Sequence, residues 1–156
     1  MIRRATPEDH VWVRDVAADV YAPFGEYGSI IPTWLSHPGV LTFVDETTGD
    51  ERRGFFLLGF YEPEDSVPGG YVADLLAIAV VSSQQGHGIG RQLLEYAIDL
   101  ATLASRKVPM PEIRLTVADT NAPARKLFSH CGFEILDGLH GSYDRGQRAI
   151  RMRRRL

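Results

Sequence analysis

Cysteine is almost missing from this chain: Cys131 is the only one in 156 residues, so no internal disulfide framework can hold the fold. Long apolar runs are missing too. None approaches the roughly 18 residues that would suggest a membrane span, and Met1-Ile2-Arg3-Arg4-Ala5-Thr6-Pro7 lacks the apolar core of a signal peptide. Positive charge is not in excess. The formal balance of −3 argues against a general nucleic-acid binder. Internal repeats, low-complexity tracts and linkers are absent, and the length suits one domain, 1–156, with a proper core. These absences lead to the expectation of a cytoplasmic protein with neither nucleic acid nor membrane as partner.

What is present is a junction. The apolar run Leu75-Leu76-Ala77-Ile78-Ala79-Val80-Val81 meets the turn Ser82-Ser83-Gln84-Gln85 and then Gly86-His87-Gly88-Ile89-Gly90-Arg91, where an amphipathic helix begins. Glycines there let the backbone approach a ligand closely, and a helix start offers unpaired N–H groups and a positive dipole end, which together make a pyrophosphate cradle. No Lys follows the glycines, so an ATP or GTP loop of the Walker type is excluded. The dinucleotide pattern Gly-x-Gly-x-x-Gly fails as well, because its third glycine would fall on Arg91 or Leu93.

A second pattern follows the alternating strand Ile113-Arg114-Leu115-Thr116-Val117. It is Asn121-Ala122-Pro123-Ala124-Arg125-Lys126-Leu127-Phe128-Ser129-His130-Cys131-Gly132-Phe133. Asn121 suits an N-cap, Pro123 the first turn, and Gly132 a helix stop. Ala124, Leu127, Phe128 and Cys131 fall on one helical stripe, expected to be buried.

Gln85-Gly86-His87-Gly88-Ile89-Gly90 resembles the Gln/Arg-x-x-Gly-x-Gly acetyl-CoA signature of the GNAT superfamily of N-acetyltransferases. The segment from Asn121 to Phe133 is similar to that family's Asn-x-x-Ala-x-x-Leu-Tyr/Phe-x-x-x-Gly-Phe. Together the two motifs cover about a quarter of the chain. The resemblance implies an α/β fold of mixed, mostly antiparallel sheet with helices on both faces. A splay between the fourth and fifth strands would admit the pantetheine arm.

The chain's own pattern agrees with a mixed sheet. Strands are expected at Ile2–Ala5, Val40–Glu46, Phe55–Tyr61, Tyr71–Val80, from Ile113, from Phe133 and from Gln147 to Arg153. Helices are expected from Thr6-Pro7-Glu8-Asp9 to about Tyr21, over Ile30–Ser36, from Gly88 to Ser105 and from Asn121, with a polar turn over Glu62–Gly70.

Acetyl transfer to an amine needs a base for the amine, a polarised thioester carbonyl and a proton for the departing thiolate. Asp74 is the one carboxylate in the long central strand, and the apolar run after it would desolvate it and raise its pKa. The family often places an acid near this point, acting through water. A structural pairing of Asp74 with an arginine is the alternative. The resemblance makes the loop Phe24-Gly25-Glu26-Tyr27-Gly28 an acceptor-site wall, so Glu26 is a rival base or amine anchor, with Phe24 and Tyr27 as substrate contacts. It also implies that the main chain of Ile78, Ala79 and Val80 serves the pantetheine amides and the oxyanion. The N–H groups from Gln85 through Gly86, His87, Gly88, Ile89 and Gly90 to Arg91 would hold the pyrophosphate. His87 and Arg91 read equally as solvated side chains. Asn121 is both a cap and a candidate CoA contact.

Many relatives carry Tyr where Phe128 stands, and a phenyl ring cannot protonate a thiolate. Tyr143, in Gly138-Leu139-His140-Gly141-Ser142-Tyr143-Asp144, is the substitute acid. The segment from Gly141 to Met152 partly resembles the end of N-terminal peptide acetyltransferases, with Ser142-Tyr143 for a Tyr-Tyr pair and Arg148 at an acidic position. The arginines at 148, 151, 153, 154 and 155 suggest an exposed edge strand.

The expected activity is acetyl transfer from acetyl-CoA to a primary amine, by direct attack in a ternary complex, without a metal. The acceptor is a small-molecule amine or a chain N-terminus. Another acyl donor, a homodimer, and a non-catalytic acyl-CoA sensor of the same fold stay open.

Overall fold

A computed structural model describes residues 1–64, 68–137 and 141–156. Residues 65–67 belong to the expected Glu62–Gly70 turn and 138–140 to the segment leading to Tyr143; both lie outside the described residues. The strands are β1 (Ile2–Arg4), β2 (Val40–Glu46), β3 (Arg52–Tyr61), β4 (Val72–Val80), β5 (Glu112–Ala118), β6 (Glu134–Asp137) and β7 (Ala149–Arg155). The helices are α1 (His10–Tyr21), α2 (Ile31–Ser36), α3 (Ile89–Ser105) and α4 (Ala122–His130). One sheet runs β1-β2-β3-β4-β5-β7-β6, antiparallel throughout except for the parallel pair β4–β5.

Both faces are covered. Phe55, Phe56, Leu57 and Leu58 on β3 are all fully buried, alternating between two cores. Phe56 and Leu58 join Leu93, Leu94, Ala97 and Ile98 of α3, and Phe128 of α4. Phe55 and Leu57 join Val13 and Ala17 of α1, and Ile31 of α2.

The β3–β4 register pairs Leu57 with Ala77 but Leu58 with Leu75, so Leu76 is an extra residue in β4. Such a bulge shifts every later side chain by one position. Leu75 and Ile78 accordingly pack toward α3, while Leu76 and Ala77 both pack toward α1.

Three expectations need correction. Thr6 to Asp9 form a 3₁₀ turn rather than the first turn of α1. The Asp9 carboxylate accepts from Thr6 N–H at 2.8 Å and from Arg3 and Arg52 at 2.7 and 2.8 Å, which draws the segment inward onto the sheet. The arginine-rich strand is not an edge, because β7 lies between β5 and β6 and its Ile150 and Met152 are core. The α4 stripe is buried only at Phe128; Ala124, Leu127 and Cys131 are half-buried, the first two because they line a cavity in front of α4.

Candidate functional site

The β4–β5 pairing lasts three positions, Ala73–Ile113, Asp74–Arg114 and Leu75–Leu115. Past Leu75 the strands part. A cavity of ≈ 560 Å³ fills the gap, walled by β4 on one side, Leu115–Ala118 of β5 on the other, and α4 at its end.

One end of this cavity is the glycine turn. Gly86 and Gly88 hold φ of 83° and 80°, a left-handed backbone that glycine adopts without a Cβ penalty. Gly88 is the N-cap of α3. A Cβ at either position would meet nothing within 4 Å, so the ground in front of the helix start is open to a ligand. Open space, left-handed glycines and free first-turn N–H groups suit a pyrophosphate. Gln85, Gly86, Gly88, Ile89, Gly90 and Asn121 all reach the cavity. His87 and Arg91 do not line it. The His87 ring lies back on Gln84 O at 3.1 Å, and Arg91 pairs with Glu95 at 2.9 Å on the exposed helix face.

Asn121 caps α4 as expected, its Oδ1 accepting from Ala124 N–H at 3.4 Å. Phe128 is at once core and cavity wall, tilted against Phe133.

A second cavity of ≈ 540 Å³ lies on the α1–α2 side and holds Asp74, Glu26 and Asp144. The two cavities share Phe24, Tyr27, Leu75, Leu76, Thr116 and Tyr143 as a common wall. The aromatic members are tied together across the chain. Phe24 packs on Tyr143, Arg145 N–H donates to Phe24 O at 3.2 Å, and Gln147 Nε2 donates to Pro23 O at 3.0 Å. The hairpin before β7 therefore straps the α1–α2 loop.

Asp74 is half-buried and its pKa is raised to about 6, chiefly by burial, against the opposing pull of Arg114 and a hydrogen bond with Tyr61. Asp74 lines the second cavity, and the Arg114 charge acts on it, the feature on which the alternative, structural reading rests. Glu26 is exposed, and its Oε1 accepts from Gly28 N–H at 2.6 Å. Burial, and the neighbouring Tyr27 and Tyr21, push the Tyr143 phenol well above its ordinary pKa, so it keeps its proton. No described group of His, Cys, Asp and Glu is arranged to hold a metal ion.

Three residues of this region were not read as functional from the letters. Thr116 looks like an ordinary polar position on an alternating strand, and Asp144 like loop. Tyr21 looks like helix core, yet its hydroxyl donates to Ile78 O at 2.8 Å and accepts from Ile78 N–H at 3.0 Å. Its partner is main chain, which no side-chain pattern records.

A mixed sheet that opens beyond one short parallel pairing, before a glycine-lined helix start, defines the GNAT class of fold. The model of the acetyltransferase (GNAT) family matches residues 8–133, and the chain belongs to that family. Two mycothiol acetyltransferases are similar in sequence. That of Beutenbergia cavernae is 28% identical over 145 residues, 87% of this chain and 44% of the relative. That of Tsukamurella paurometabola is 28% identical over 100 residues, 64% and 33% respectively. The chain thus spans less than half the length of these relatives. Among solved structures, Arabidopsis thaliana NAA60 with a bisubstrate analogue superposes with a TM-score of 0.81 at 16% identity, over 100% of this chain and 98% of that one. The ribosomal-protein-alanine N-acetyltransferase of Brucella melitensis does so at 0.76 and 22% identity, over 100% and 99%. Both likenesses are of fold. Among the described residues, no helix is long and apolar enough to cross a membrane.

Proposed function

We propose that this chain transfers an acetyl group from acetyl-CoA to a primary amine by direct attack in a ternary complex. The observation that carries this reading is the shared wall. A cavity ending at an anion cradle and a cavity holding a desolvated carboxylate meet at six residues, so donor and acceptor can face each other without either leaving its site. A structure of the NAA60 fold relative contains acetyl-CoA, which supports the donor assignment.

When bound, acetyl-CoA supplies an activated thioester. The residues of the chain do the rest. Gly86, Gly88, Ile89 and Gly90 offer backbone N–H groups to the pyrophosphate, with the α3 dipole behind them. Ile78 and Val80 turn their polar groups toward the splay, since Ala77 and Ala79, which alternate with them, face β3, in step with Val81 N–H donating to Arg53 O; the Ile78 N–H polarises the acyl carbonyl. Asp74 draws the proton from the amine through a water. A carboxyl titrating near 6 is ionised at pH 7 yet more basic than an exposed one. Tyr143, at the common wall and holding its proton, gives it to the leaving thiolate in place of the phenol that Phe128 lacks. Glu26 and Asp144 give the acceptor mouth a negative field that draws in an ammonium group. Phe24 and Tyr27 flank the amine's path. The acceptor is a small-molecule amine or a chain N-terminus.

The test is acetyl-CoA turnover with a panel of short peptides, polyamines, amino acids and aminoglycosides, products read by mass spectrometry. An acetylated product that falls about 100-fold or more in Asp74→Asn and at least tenfold in Tyr143→Phe supports the assignment. Tight acetyl-CoA binding with no product anywhere would favour a non-catalytic acyl-CoA sensor, the reading that Phe128 keeps in view. Turnover unchanged in both variants would remove Asp74 and Tyr143 from the chemistry.

A further inference from the structure

The splay leaves β4 with main-chain groups that no strand can satisfy. Antiparallel pairing uses the polar groups of Ala77 and Ala79, while those of Ile78 and Val80 point across the gap toward β5, whose pairing has already ended at Leu115. Unpaired groups here would be costly. Two side chains take three of these four groups. Gln85 Nε2 donates to Val80 O at 3.0 Å, and the Tyr21 hydroxyl closes on both polar groups of Ile78, donating to its carbonyl and accepting from its N–H.

The Tyr21 oxygen sits 3.0 Å from the Ile78 nitrogen, at the distance an acyl oxygen would take. Nothing about a helix-terminal tyrosine requires this. Its ring is stacked on Tyr27, centroids 4.6 Å apart, and it borders the donor cavity. An acyl oxygen and the phenol oxygen cannot both occupy the place in front of one N–H.

We propose that Tyr21 is a positioning residue that caps the Ile78 peptide in the free protein and is displaced from it by the acyl carbonyl of the donor. The inference rests on Ile78 N–H being the carbonyl's partner. It adds a specificity element: only a donor carrying an acyl carbonyl competes for that N–H, so the free thiol product does not hold the phenol away. Because Tyr21 stacks on Tyr27, release of the phenol also reaches the acceptor loop.

The test compares acetyl-CoA with CoA. In Tyr21→Phe the competitor is gone, and acetyl-CoA should bind about three- to tenfold tighter, the range set by one net hydrogen bond, while CoA changes less than about twofold. A structure of the wild-type protein with acetyl-CoA should show the acyl oxygen on Ile78 N–H and the Tyr21 oxygen beyond about 3.5 Å from it. Equal changes for both ligands, or weaker acetyl-CoA binding, would overturn the proposal. So would a complex in which the phenol still holds the Ile78 N–H, and this structure decides the matter even if the variant does not fold. If acetyl-CoA failed to bind the wild-type protein, the functional reading itself would fall. Binding with Tyr21 unmoved would sink only this inference.

Discussion

Asp74 carries its charge at a cost. Its neighbours on β4 are Ala73 and Leu75, both buried, and desolvation outweighs the attraction of Arg114, so its pKa rises from 3.8 to about 6. Two consequences follow with opposite signs. In the proposed role of base Asp74 must be ionised, so kcat/KM should climb as pH rises through about 6 and level off above it. For stability the direction reverses. As pH rises from 3.8 to about 6 the unfolded chain releases this proton first, so the folded state loses stability over that window and stays penalised above it. Asp74→Asn removes the penalty. It should abolish most turnover yet raise the unfolding free energy at pH 7 by about 1–3 kcal/mol, measured by urea denaturation. A variant that is inactive and also destabilised would mean that Asp74 serves mainly as the partner of Arg114 and Tyr61.

At the scale of elements, the start of α1 is held by charge. Asp9 is 1% exposed and receives Arg3 and Arg52, while Arg3 also reaches Glu46. These guanidinium groups hold the Asp9 carboxyl far below the usual carboxylate range. A depressed folded pKa contributes stability that is present above the ordinary value of 3.8 and is lost as pH falls below it. Asp9→Ala should cost about 2–4 kcal/mol at pH 7, because two arginines lose a buried partner. The gap from wild type should narrow as the medium is taken toward pH 3, followed by thermal melting; a gap independent of pH would count against the ion pairs.

The same element shows what letters can and cannot carry. Thr6-Pro7 marks a helix entry, but the 3₁₀ turn depends on arginines 43 residues away in the case of Arg52 and on a neighbouring strand in the case of Arg3. The β5 strand and the α4 cap were legible because alternation and Asn121 are local signals. The β4 bulge was not, because Leu75 to Val80 contains no polar residue that would show which side each position faces. The glycine turn was legible as backbone, since glycines clustered between a strand and a helix mark a tight turn, and Gly86 and Gly88 take left-handed φ there. The splay was implied by family resemblance alone, and the place of Tyr21 by nothing in the sequence.

The whole molecule is two part-sheets joined by a short seam. β1 to β4 form one, β5, β7 and β6 the other, and three register pairs connect them before the strands separate. A ligand lying in the gap contacts both halves, so donor binding should strengthen the junction more than either half. At a donor concentration of about 100 Kd, linkage adds about 2.7 kcal/mol, and for a chain of this size that should raise the unfolding midpoint by roughly 5–10 °C. Hydrogen exchange should localise the gain, with slowed amides at Leu76–Val80 and Thr116–Ala118 and little change in β1 or β2. Gly88→Ala should reduce both effects. It forces a side chain into a left-handed backbone, at about 1–2 kcal/mol in the free protein, and places a methyl in the open ground before α3 where the pyrophosphate would lie. If acetyl-CoA instead slowed exchange uniformly across all seven strands, the seam would not be the weak joint of this fold.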